Sequence, residues 1–303
     1  MIDFIGKSKY WFSLSGLLIL LSFICLGLWG LNWGIDFTGG SLMELEIKTT
    51  AVVDTNAIAN IAYELEIKDI RVQPSSDDIY LIRMEAIGEE LHQQLLNKIE
   101  TTLIDPTVEG QSMIEHRFDS IGPVIGAELK SKAFSAIALV LLAIVLYIAL
   151  VFRKVSYPVA SWKYGISAII ALAHDIIIIV GVFSLLGRFA GYQVDSLFVT
   201  ALLTVMGFSV HDTIVTFDRV RENLFHHQEL TYKQIVNKSI NETVVRSLNT
   251  SITTLFVLTA VYLFGGDTIE HFMLALMCGI VIGTFSSIFL ASPLLYSWFK
   301  LRK

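Results

Sequence analysis

Residues 207–219 read GFSVHDTIVTFDR, and they place two acidic residues, Asp212 and Asp218, in the last part of an apolar segment of membrane length. A basic residue, Arg246, stands at the start of the next apolar segment. An acid or a base at the centre of a membrane helix costs roughly 2.5–3.5 kcal/mol, and such groups usually face a protein interior or a water path and mark an ion route. The pattern therefore predicts a membrane protein with a proton-coupled site.

Composition and apolar segments predict an α-helical membrane protein with six transmembrane helices. The mean hydropathy is +0.63, and 54% of the residues are hydrophobic against 17% charged. An apolar helix needs about 20 residues to cross a hydrocarbon core about 30 Å thick. The predicted spans are residues 10–35, 133–152, 164–187, 196–217, 247–266 and 272–299. The first span is too long for a signal peptide and lacks a small-residue cleavage site, so it is predicted to be retained.

Several function classes are disfavoured by what the chain contains. The net charge is −6 and no basic domain is visible, so nucleic acid is not a predicted partner. The sequence has neither a phosphate-binding glycine loop nor a His-Glu-x-x-His run, which argues against ATP use and metalloprotease activity. Cys25 and Cys278 both lie in apolar segments and are interpreted as packing residues. No cofactor or metal is predicted.

Basic residues orient the predicted helices in the bilayer. They lie before span one, between spans two and three, between spans four and five, and after span six, whereas the short loops on the other side hold only Arg188. The positive-inside rule then places both termini in the cytoplasm. The residues used are Lys7, Lys9, Arg153, Lys154, Lys163, Arg219, Arg221, Lys233, Lys238, Arg246, Lys300, Arg302 and Lys303.

One external domain is predicted between helices one and two, at residues 36–130. Residues 1–35 would hold the cytoplasmic N-terminus and the first helix, and residues 131–303 the other five helices with a cytoplasmic C-terminus. Periodicity predicts strands at 41–49, 69–74, 79–85 and 113–121 and helices at 54–67 and 88–103. This βαββαβ order predicts an α+β ferredoxin-like domain. Its residues show no metal-ligand or nucleophile spacing, which favours a binding or moving module over an enzyme.

Glycines punctuate both junctions of this domain with the membrane segments. Residues 34–40 read GIDFTGG, and residues 120–128 read SIGPVIGAE. Glycine permits backbone conformations and close approaches that other residues resist. The two stretches are either simple connectors or a pair of hinges that let the domain swing. The residues concerned are Gly34, Asp36, Gly39, Gly40, Gly122, Pro123 and Gly126.

Five motifs in order resemble those of the SecD/SecF family of export proteins. They are residues 34–40, 207–223, 246–251 (RSLNTS), 262–266 (YLFGG) and 279–287. One modest external domain and a short amino-terminal lead resemble the SecF branch. The resemblance implies an RND-type half bundle in the bacterial inner membrane that pairs with SecD, beside the SecYEG channel. YajC is a further partner that it suggests. It also implies that the proton motive force is used to pull exported, unfolded polypeptide out on the far side.

The resemblance places the family's proton-linked acid at Asp218 and its arginine partner at Arg246, with Asp212 as the second acid. Spacing puts His211 and Asp218 on one helical face, since seven residues are nearly two turns. A polar stripe on span five starts at Arg246 and continues through Asn249, Thr250 and Thr253. The alternative is that residues 218–222 form a solvated helix end with i, i+3 and i, i+4 ion pairs.

Three interpretations stay open at this stage. His174 and Asp175, central in span three, are either a second proton relay or a pair that satisfies a neighbouring helix. Gly279 and Gly283 have small-xxx-small spacing, typical of close helix packing, within the bundle or between two chains. The function itself has two alternatives, a half-transporter of the RND superfamily for a small molecule or lipid, and a translocon scaffold that moves no protons.

Overall fold

The computed structural model describes residues 2–49, 53–76, 78–105, 108, 110–152 and 159–300. Of the basic residues used for orientation, Arg153, Lys154, Arg302 and Lys303 lie outside these ranges, as does Asp77 of the loop before the third predicted strand. The chain divides into two compact units, one formed by Trp33–Ala133 and the other by Met1–Asn32 with Phe134–Lys303.

The helices and strands follow one another in a simple order along the chain. They are α1 (Ser8–Trp29), α2 (Ile35–Thr38), β1 (Gly40–Lys48), α3 (Thr55–Tyr63), β2 (Arg71–Ser76), β3 (Ile79–Met84), α4 (Glu89–Leu103), β4 (Ser112–Ile121), α5 (Pro123–Val151), α6 (Ser161–Phe189), α7 (Ser196–His226), α8 (Tyr232–Phe264), α9 (Asp267–Ser286), a π-helix (Ser287–Ala291) and α10 (Ser292–Lys300).

The smaller unit is a four-stranded antiparallel sheet with two longer helices, α3 and α4, besides the short α2. The strand order is β2-β3-β1-β4, so β1 lies inside the sheet and pairs with β3 and β4. On β1 every second side chain is buried, namely Met43, Leu45 and Ile47, because successive residues of a strand point to opposite faces. Asp54 caps α3 by accepting a hydrogen bond from the Asn56 amide at 2.9 Å. The βαββαβ order of elements agrees with the sequence pattern.

Within the described residues, six helices are long and apolar enough to cross a membrane, the sixth being the continuous stretch Ile269–Lys300. They divide into two groups. At least 50% of the most apolar stretch is buried in α6, α7 and the last span, against 11% or less in α1, α5 and α8. Helices α6 and α7 and the last span therefore form the centre of the bundle, and α1, α5 and α8 present broad outer faces.

Hydropathy located the spans but not their full helical lengths. Segment five was predicted to begin at residue 247, whereas α8 begins at Tyr232, and α7 continues to His226. The early start of α8 is stabilised by a capping box in which the Thr231 hydroxyl accepts from the Gln234 amide and the Gln234 side chain accepts from the Thr231 amide. These polar helical turns have no apolar signal, so a hydropathy pattern misses them.

A π-helix interrupts the last span between α9 and α10. It comprises Ser287–Ala291, and the Ser292 hydroxyl donates to the Ser287 carbonyl at 3.2 Å, five residues back. A π-turn holds one residue more than an α-turn and often lies at a functional site.

Glycines let α7 and α9 approach closely. A Cβ added at Gly279 would lie 2.2 Å from Cγ2 of Val205, and one at Gly283 would lie 2.9 Å from Cβ of Ser209. Both contacts fall inside this chain, which confirms the interpretation of Gly279 and Gly283 as packing residues within the bundle.

We predict that Gly279→Ala destabilises the bundle while Gly207→Ala does not. Alanine gains up to about 1 kcal/mol of helix propensity over glycine at both positions. At Gly279 the added methyl overpacks against Val205, a cost of about 1–3 kcal/mol, whereas nothing lies within 4 Å of a Cβ at Gly207. Thermal unfolding of the two purified variants in detergent, followed by circular dichroism, measures the difference. Equal midpoints for both variants would contradict the close α7–α9 contact.

Candidate functional site: a buried polar cluster in the helix bundle

Two acidic side chains are buried among the central helices at similar depth. Phe189 ends α6 and Ser196 begins α7, and a short loop joins them. Asp175 lies 14 residues before Phe189 and Asp212 lies 16 residues after Ser196, which correspond to about 21 Å and about 24 Å of helix at 1.5 Å per residue. Both acids therefore belong to the part of the bundle that matches a hydrocarbon core of about 30 Å.

Asp212 on α7 is a buried acid, and one of its carboxyl oxygens accepts no hydrogen bond from the described residues. Its residue is 4% exposed, and its Oδ1 lies 4.0 Å from Nδ1 of His211. Ser247 of α8 also interacts with the carboxyl group. Within the part of the chain that the structure describes, Oδ2 has no hydrogen-bond partner. An ionised carboxylate with a free oxygen is costly in an apolar interior, so this group is suited to carrying a proton.

Asp175 on α6 is held by hydrogen bonds from two other helices. The residue is 0% exposed, and its Oδ2 accepts from the Ser209 hydroxyl of α7 at 2.6 Å and from the Ser286 hydroxyl of α9 at 2.8 Å. Its Oδ1 lies 2.9 Å from Nδ1 of His174. The other ring nitrogen of His174, Nε2, is buried without a hydrogen-bond partner among the described residues. This arrangement joins α6, α7 and α9 through one carboxyl group.

Further polar pairs join α8 to its neighbours. A hydroxyl or amide group inside an apolar helix bundle needs a hydrogen-bond partner from the protein. In the pairs given next, each group finds a partner on another helix or on a backbone carbonyl four residues back. The pairs between helices are Ser251 with Thr284 at 2.5 Å, Thr216 with Thr243 at 3.3 Å, and Asn223 with Ser239 at 3.0 Å.

Asp218 lies elsewhere, on the exposed face near the end of α7. It is 22 residues after Ser196, about 33 Å along the helix, and its side chain is 55% exposed. Its Oδ1 lies 3.3 Å from Nη2 of Arg221, an i, i+3 ion pair. Among the described residues no ion pair joins Asp218 to Arg246. The geometry of Asp218 is that of a solvated helix end, the alternative interpretation of this stretch.

Arg246 and its polar stripe face outward from α8. Arg246, Asn249, Thr250 and Thr253 are all exposed, whereas Ser247 on the other face of the helix is buried. Arg246 is 18 residues before Phe264, or about 27 Å of helix, close to the depth of Asp212. His211 is likewise exposed, with 74% of its side chain accessible, on the same face of α7 as Asp218. The structure therefore groups the predicted residues into a buried set, Asp212, His174 and Asp175, and an exposed set.

The second glycine of the GIDFTGG motif and the start of α5 are in direct contact. Gly39 has a φ of +73°, and a Cβ on it would lie 2.8 Å from Cα of Pro123. A Cβ on Gly126 would lie 2.9 Å from the Gly39 backbone nitrogen. At Gly40, with a φ of +119°, the neighbour is the Met84 carbonyl oxygen at 2.8 Å. These three glycines are positions where backbones meet without room for a side chain.

The other members of the two motifs have more varied surroundings. Gly34 is the residue before α2, and Asp36 lies in the first turn of that helix. A Cβ at Gly122 would have nothing within 4 Å. A hinge role for the two stretches stays a prediction, and the close packing at Gly39 and Gly126 limits where such a hinge can bend.

The α/β unit carries surface ion pairs. Hydrogen bonds from Lys48 and from His116, the latter at 2.7 Å, lower the pKa of the Glu46 carboxyl group on β1. His92 on α4 lies 2.7 Å from Glu115 on β4. Over the described ranges, no group of three or more His, Cys, Asp and Glu side chains is placed to hold a metal ion.

Sequence reasoning missed three serines that contact the buried acids. Ser209, Ser247 and Ser286 lie next to Asp175 or Asp212 in space, yet nothing in the sequence sets these hydroxyls apart from the other serines and threonines of the same spans. One signal was available for Ser209, which precedes Asp212 by three residues and so shares its helical face. Nothing in the sequence says which helices are neighbours, so Ser286 could not be found.

Comparisons with known proteins agree over almost the whole chain. Residues 106–301 match the family described as "Protein export membrane protein SecD/SecF, C-terminal", and residues 30–51 match the "SecD/SecF GG Motif". The protein translocase subunit SecF of Thermobaculum terrenum is 43% identical, with 98% of this chain and 94% of that protein covered. The corresponding subunit of Escherichia coli O157:H7 is 35% identical, with 96% and 86% covered.

Two solved structures are also similar. The crystal structure of SecDF from Thermus thermophilus, named there a translocon-associated membrane protein, has a TM-score of 0.82 and 31% identity over 98% of this chain. SecDF in its super-membrane-facing form has a TM-score of 0.69 and 31% identity over 99% of this chain. This chain spans 38% and 39% of those longer chains.

We predict that Gly126→Ala loosens the unit formed by Trp33–Ala133 while Gly122→Ala leaves it unchanged. The methyl at Gly126 meets the Gly39 backbone, which cannot rotate away as a side chain could, and the cost is about 1–3 kcal/mol. The rate of limited proteolysis within this unit measures the effect, with Gly122→Ala as the matched control because its Cβ enters open space. Equal cleavage rates for both variants and the wild type would contradict the contact.

Proposed function

The chain belongs to the SecD/SecF family of protein export membrane proteins, and we propose that it acts as the SecF subunit of a protein translocase powered by the proton motive force. One observation carries the proton-coupled part of this proposal. Asp212 is a buried acid at hydrocarbon depth with a free carboxyl oxygen, in a bundle of membrane-length helices. A group held in that environment usually serves an ion route.

We assign the coupling proton to Asp212 and the fixed positive charge to Arg246. The guanidinium cannot lose its proton, so only the acid can act as carrier. The two residues lie on α7 and α8 at similar helical depth, and a rearrangement of these helices would change the exposure of Asp212 to Arg246. Asp218 takes a surface role in this proposal because it is exposed and already paired with Arg221. One proton crossing 100 mV releases about 2.3 kcal/mol, enough to bias a two-state motion more than tenfold.

The outward-facing stripe on α8 supports a SecD partner. Arg246 and the polar residues after it lie on an exposed face of a helix that is predicted to cross the membrane, and a cation facing lipid at that depth is costly. A second protein would remove that cost. The solved SecDF chains are more than twice as long as the matched part, and their name joins SecD with SecF. We therefore propose a twelve-helix, RND-type assembly in which a SecD-like half covers α8.

The remaining parts of the proposal rest on family likeness and charge. We base the location in the bacterial inner membrane on the six apolar helices and the SecF relatives, and the cytoplasmic placement of both termini on the positive-inside pattern. The α/β unit has the element order and the strand order of a ferredoxin-like domain, and we assign residues 36–130 to an extracytoplasmic domain that contacts emerging polypeptide. SecYEG and YajC are proposed as neighbours in the same machinery. No covalent bond is made or broken by this chain.

The decisive experiment compares Asp212→Asn with Asp218→Asn in export. Cells lacking their own SecF are supplied with this chain and its own SecD at matched levels, and the secretion rate of a reporter is measured. Asparagine keeps the size of each side chain and removes the titratable proton. We expect wild type and Asp218→Asn to restore export and Asp212→Asn to lose it.

Each other outcome has a definite meaning. Equal restoration by both variants would favour the scaffold function, in which no proton moves. Loss with Asp218→Asn and not with Asp212→Asn would return the coupling role to Asp218. Failure of the wild-type chain would weaken the export function and favour the small-molecule or lipid exporter.

A second export prediction separates charge from packing at Arg246. Arg246→Lys keeps a positive charge and should retain part of the export, whereas Arg246→Met keeps length without charge and should abolish it. Arg221→Met, which removes a surface partner of Asp218, is the control and should export like wild type. Equal export by the lysine and methionine variants would show that the charge at Arg246 is not needed.

A further inference from the structure

The most completely buried acid of the bundle has no part in the coupling step proposed above. Asp175 is 0% exposed and its carboxyl group accepts hydrogen bonds from two other helices, α7 and α9. We propose that His174 and Asp175 form a second proton-binding site inside this chain, joined to α7 by Ser209, which lies one helical turn from Asp212. The inference deepens the proton-coupled export function and rests on it for its physiological meaning, but not for its test.

The hydrogen bonds define two forms of this site that differ by one proton. In the form without the proton, Asp175 is a carboxylate that accepts from Ser209, Ser286 and the Nδ1–H of His174. In the form with it, the added proton lies on Oδ2 of Asp175 and is donated to the Ser286 hydroxyl oxygen, whose own O–H then donates to the Gly283 carbonyl at 3.1 Å, and the site is neutral overall. Both forms keep the same heavy-atom contacts, so the proton can enter or leave without moving the side chains.

The free nitrogen of His174 supports a proton rather than a metal ion as the ligand. Nε2 is buried without a hydrogen-bond partner among the described residues, and the ring stacks near Phe285, with ring centroids 6.4 Å apart. A proton added at Nε2 would leave an N–H unsatisfied there, so the added proton is better placed on the carboxyl group, while His174 keeps its Nδ1–H. A sodium ion would need the Asp175 oxygens that the hydroxyls and the imidazole already occupy.

Among the helices packed against α6, α7 places Asp212 one turn from a hydrogen-bond partner of Asp175. The helices against α6 are α1, α7, the last span and its π-helix. Between Trp11 and Trp29, α1 has no acid, basic residue or histidine. On α9 the facing groups are Ser286 and Phe285, and the titratable residues Cys278, His271 and Glu270 lie about 12, 22 and 24 Å back along the helix. On α10 the charged residue is Lys300, 14 residues beyond Ser286.

Two features link the site to the moving parts of the bundle. Ser209 donates a hydrogen bond to Asp175 and precedes Asp212 by three residues on α7, so it lies one helical turn from Asp212. Ser286 is the last residue before the π-helix of the last span. A change of protonation at Asp175 alters the bonds that hold both α7 and α9 to α6.

The test is infrared difference spectroscopy of the full chain in lipid vesicles, stepped between pH values. A carboxylic acid has a carbonyl stretch that its carboxylate lacks, so each buried acid that titrates gives a difference band. We expect one band lost in Asp175→Asn and another lost in Asp212→Asn, with each variant keeping the band of the other acid. Retention of the complete wild-type spectrum by Asp175→Asn would overturn the proposal.

Two further arms keep the result decisive. If Asp175→Asn does not fold, Ser286→Ala replaces it, because the acid stays and loses one donated hydrogen bond. The Asp175 band should then move in frequency, and an unmoved band would overturn the proposal. Exchange of potassium for sodium at constant pH should change nothing, and a sodium-dependent band would make the site a cation site.

The spectra and the export assay can fail independently. A titrating Asp175 band together with normal export by both Asp212→Asn and Asp218→Asn would retain the second proton site and remove the proton-coupled function. Loss of export by Asp212→Asn without any Asp175 band would do the reverse. In export, Asp175→Asn should reduce the secretion rate at least tenfold if the site lies on the coupling route, and Asp195→Asn, at the N-cap of α7, serves as the acid control.

Discussion

Hydrogen bonds that converge on the Asp175 carboxyl group hold the centre of this bundle together. The hydrophobic effect cannot select one arrangement of helices in lipid, because an apolar helix face is as well accommodated by lipid tails as by another helix. Polar groups can select it, because each must find a partner inside the protein. Ser209 and Ser286 find theirs on α6, and the glycines of α9 allow α7 to come close enough for this. The central three helices are thus joined through one carboxyl group, and polar pairs with α7 and α9 join the outer helix α8 to them.

The fold was largely readable from the sequence because its two periodicities are strong. Alternation located all four strands within about two residues, and hydropathy located all six spans. The misses have a common cause. The first turns of α8 and the last turns of α7 are polar helix outside the hydrocarbon, so their helical state depends on capping and tertiary contacts instead of apolar content.

The site could be predicted only in part from the sequence, for a different reason. Spacing shows that His211 and Asp218 share a face, but not whether that face points into the bundle or away from it. Asp212 shares a buried face of α7 with Ser209, and its burial becomes visible only when Ser247 of α8 is seen to contact it. A single sequence gives the angle between residues on one helix. It does not give the rotation of that helix in the bundle.

The π-helix in the last span has a consequence for comparing related chains. Because it contains one extra residue, side chains before Ser287 are rotated by about 100° relative to a continuous α-helix ending in α10. Ser286 and Pro293 lie seven residues apart and would share one face of a continuous α-helix, so the extra residue turns them about 100° apart around the helix axis, and both are buried. A relative with a one-residue gap in this stretch would keep its hydropathy and nearly its length, yet its serine would point away from α6. Alignment gaps at this point thus distinguish chains that can hold the buried carboxyl group from chains that cannot.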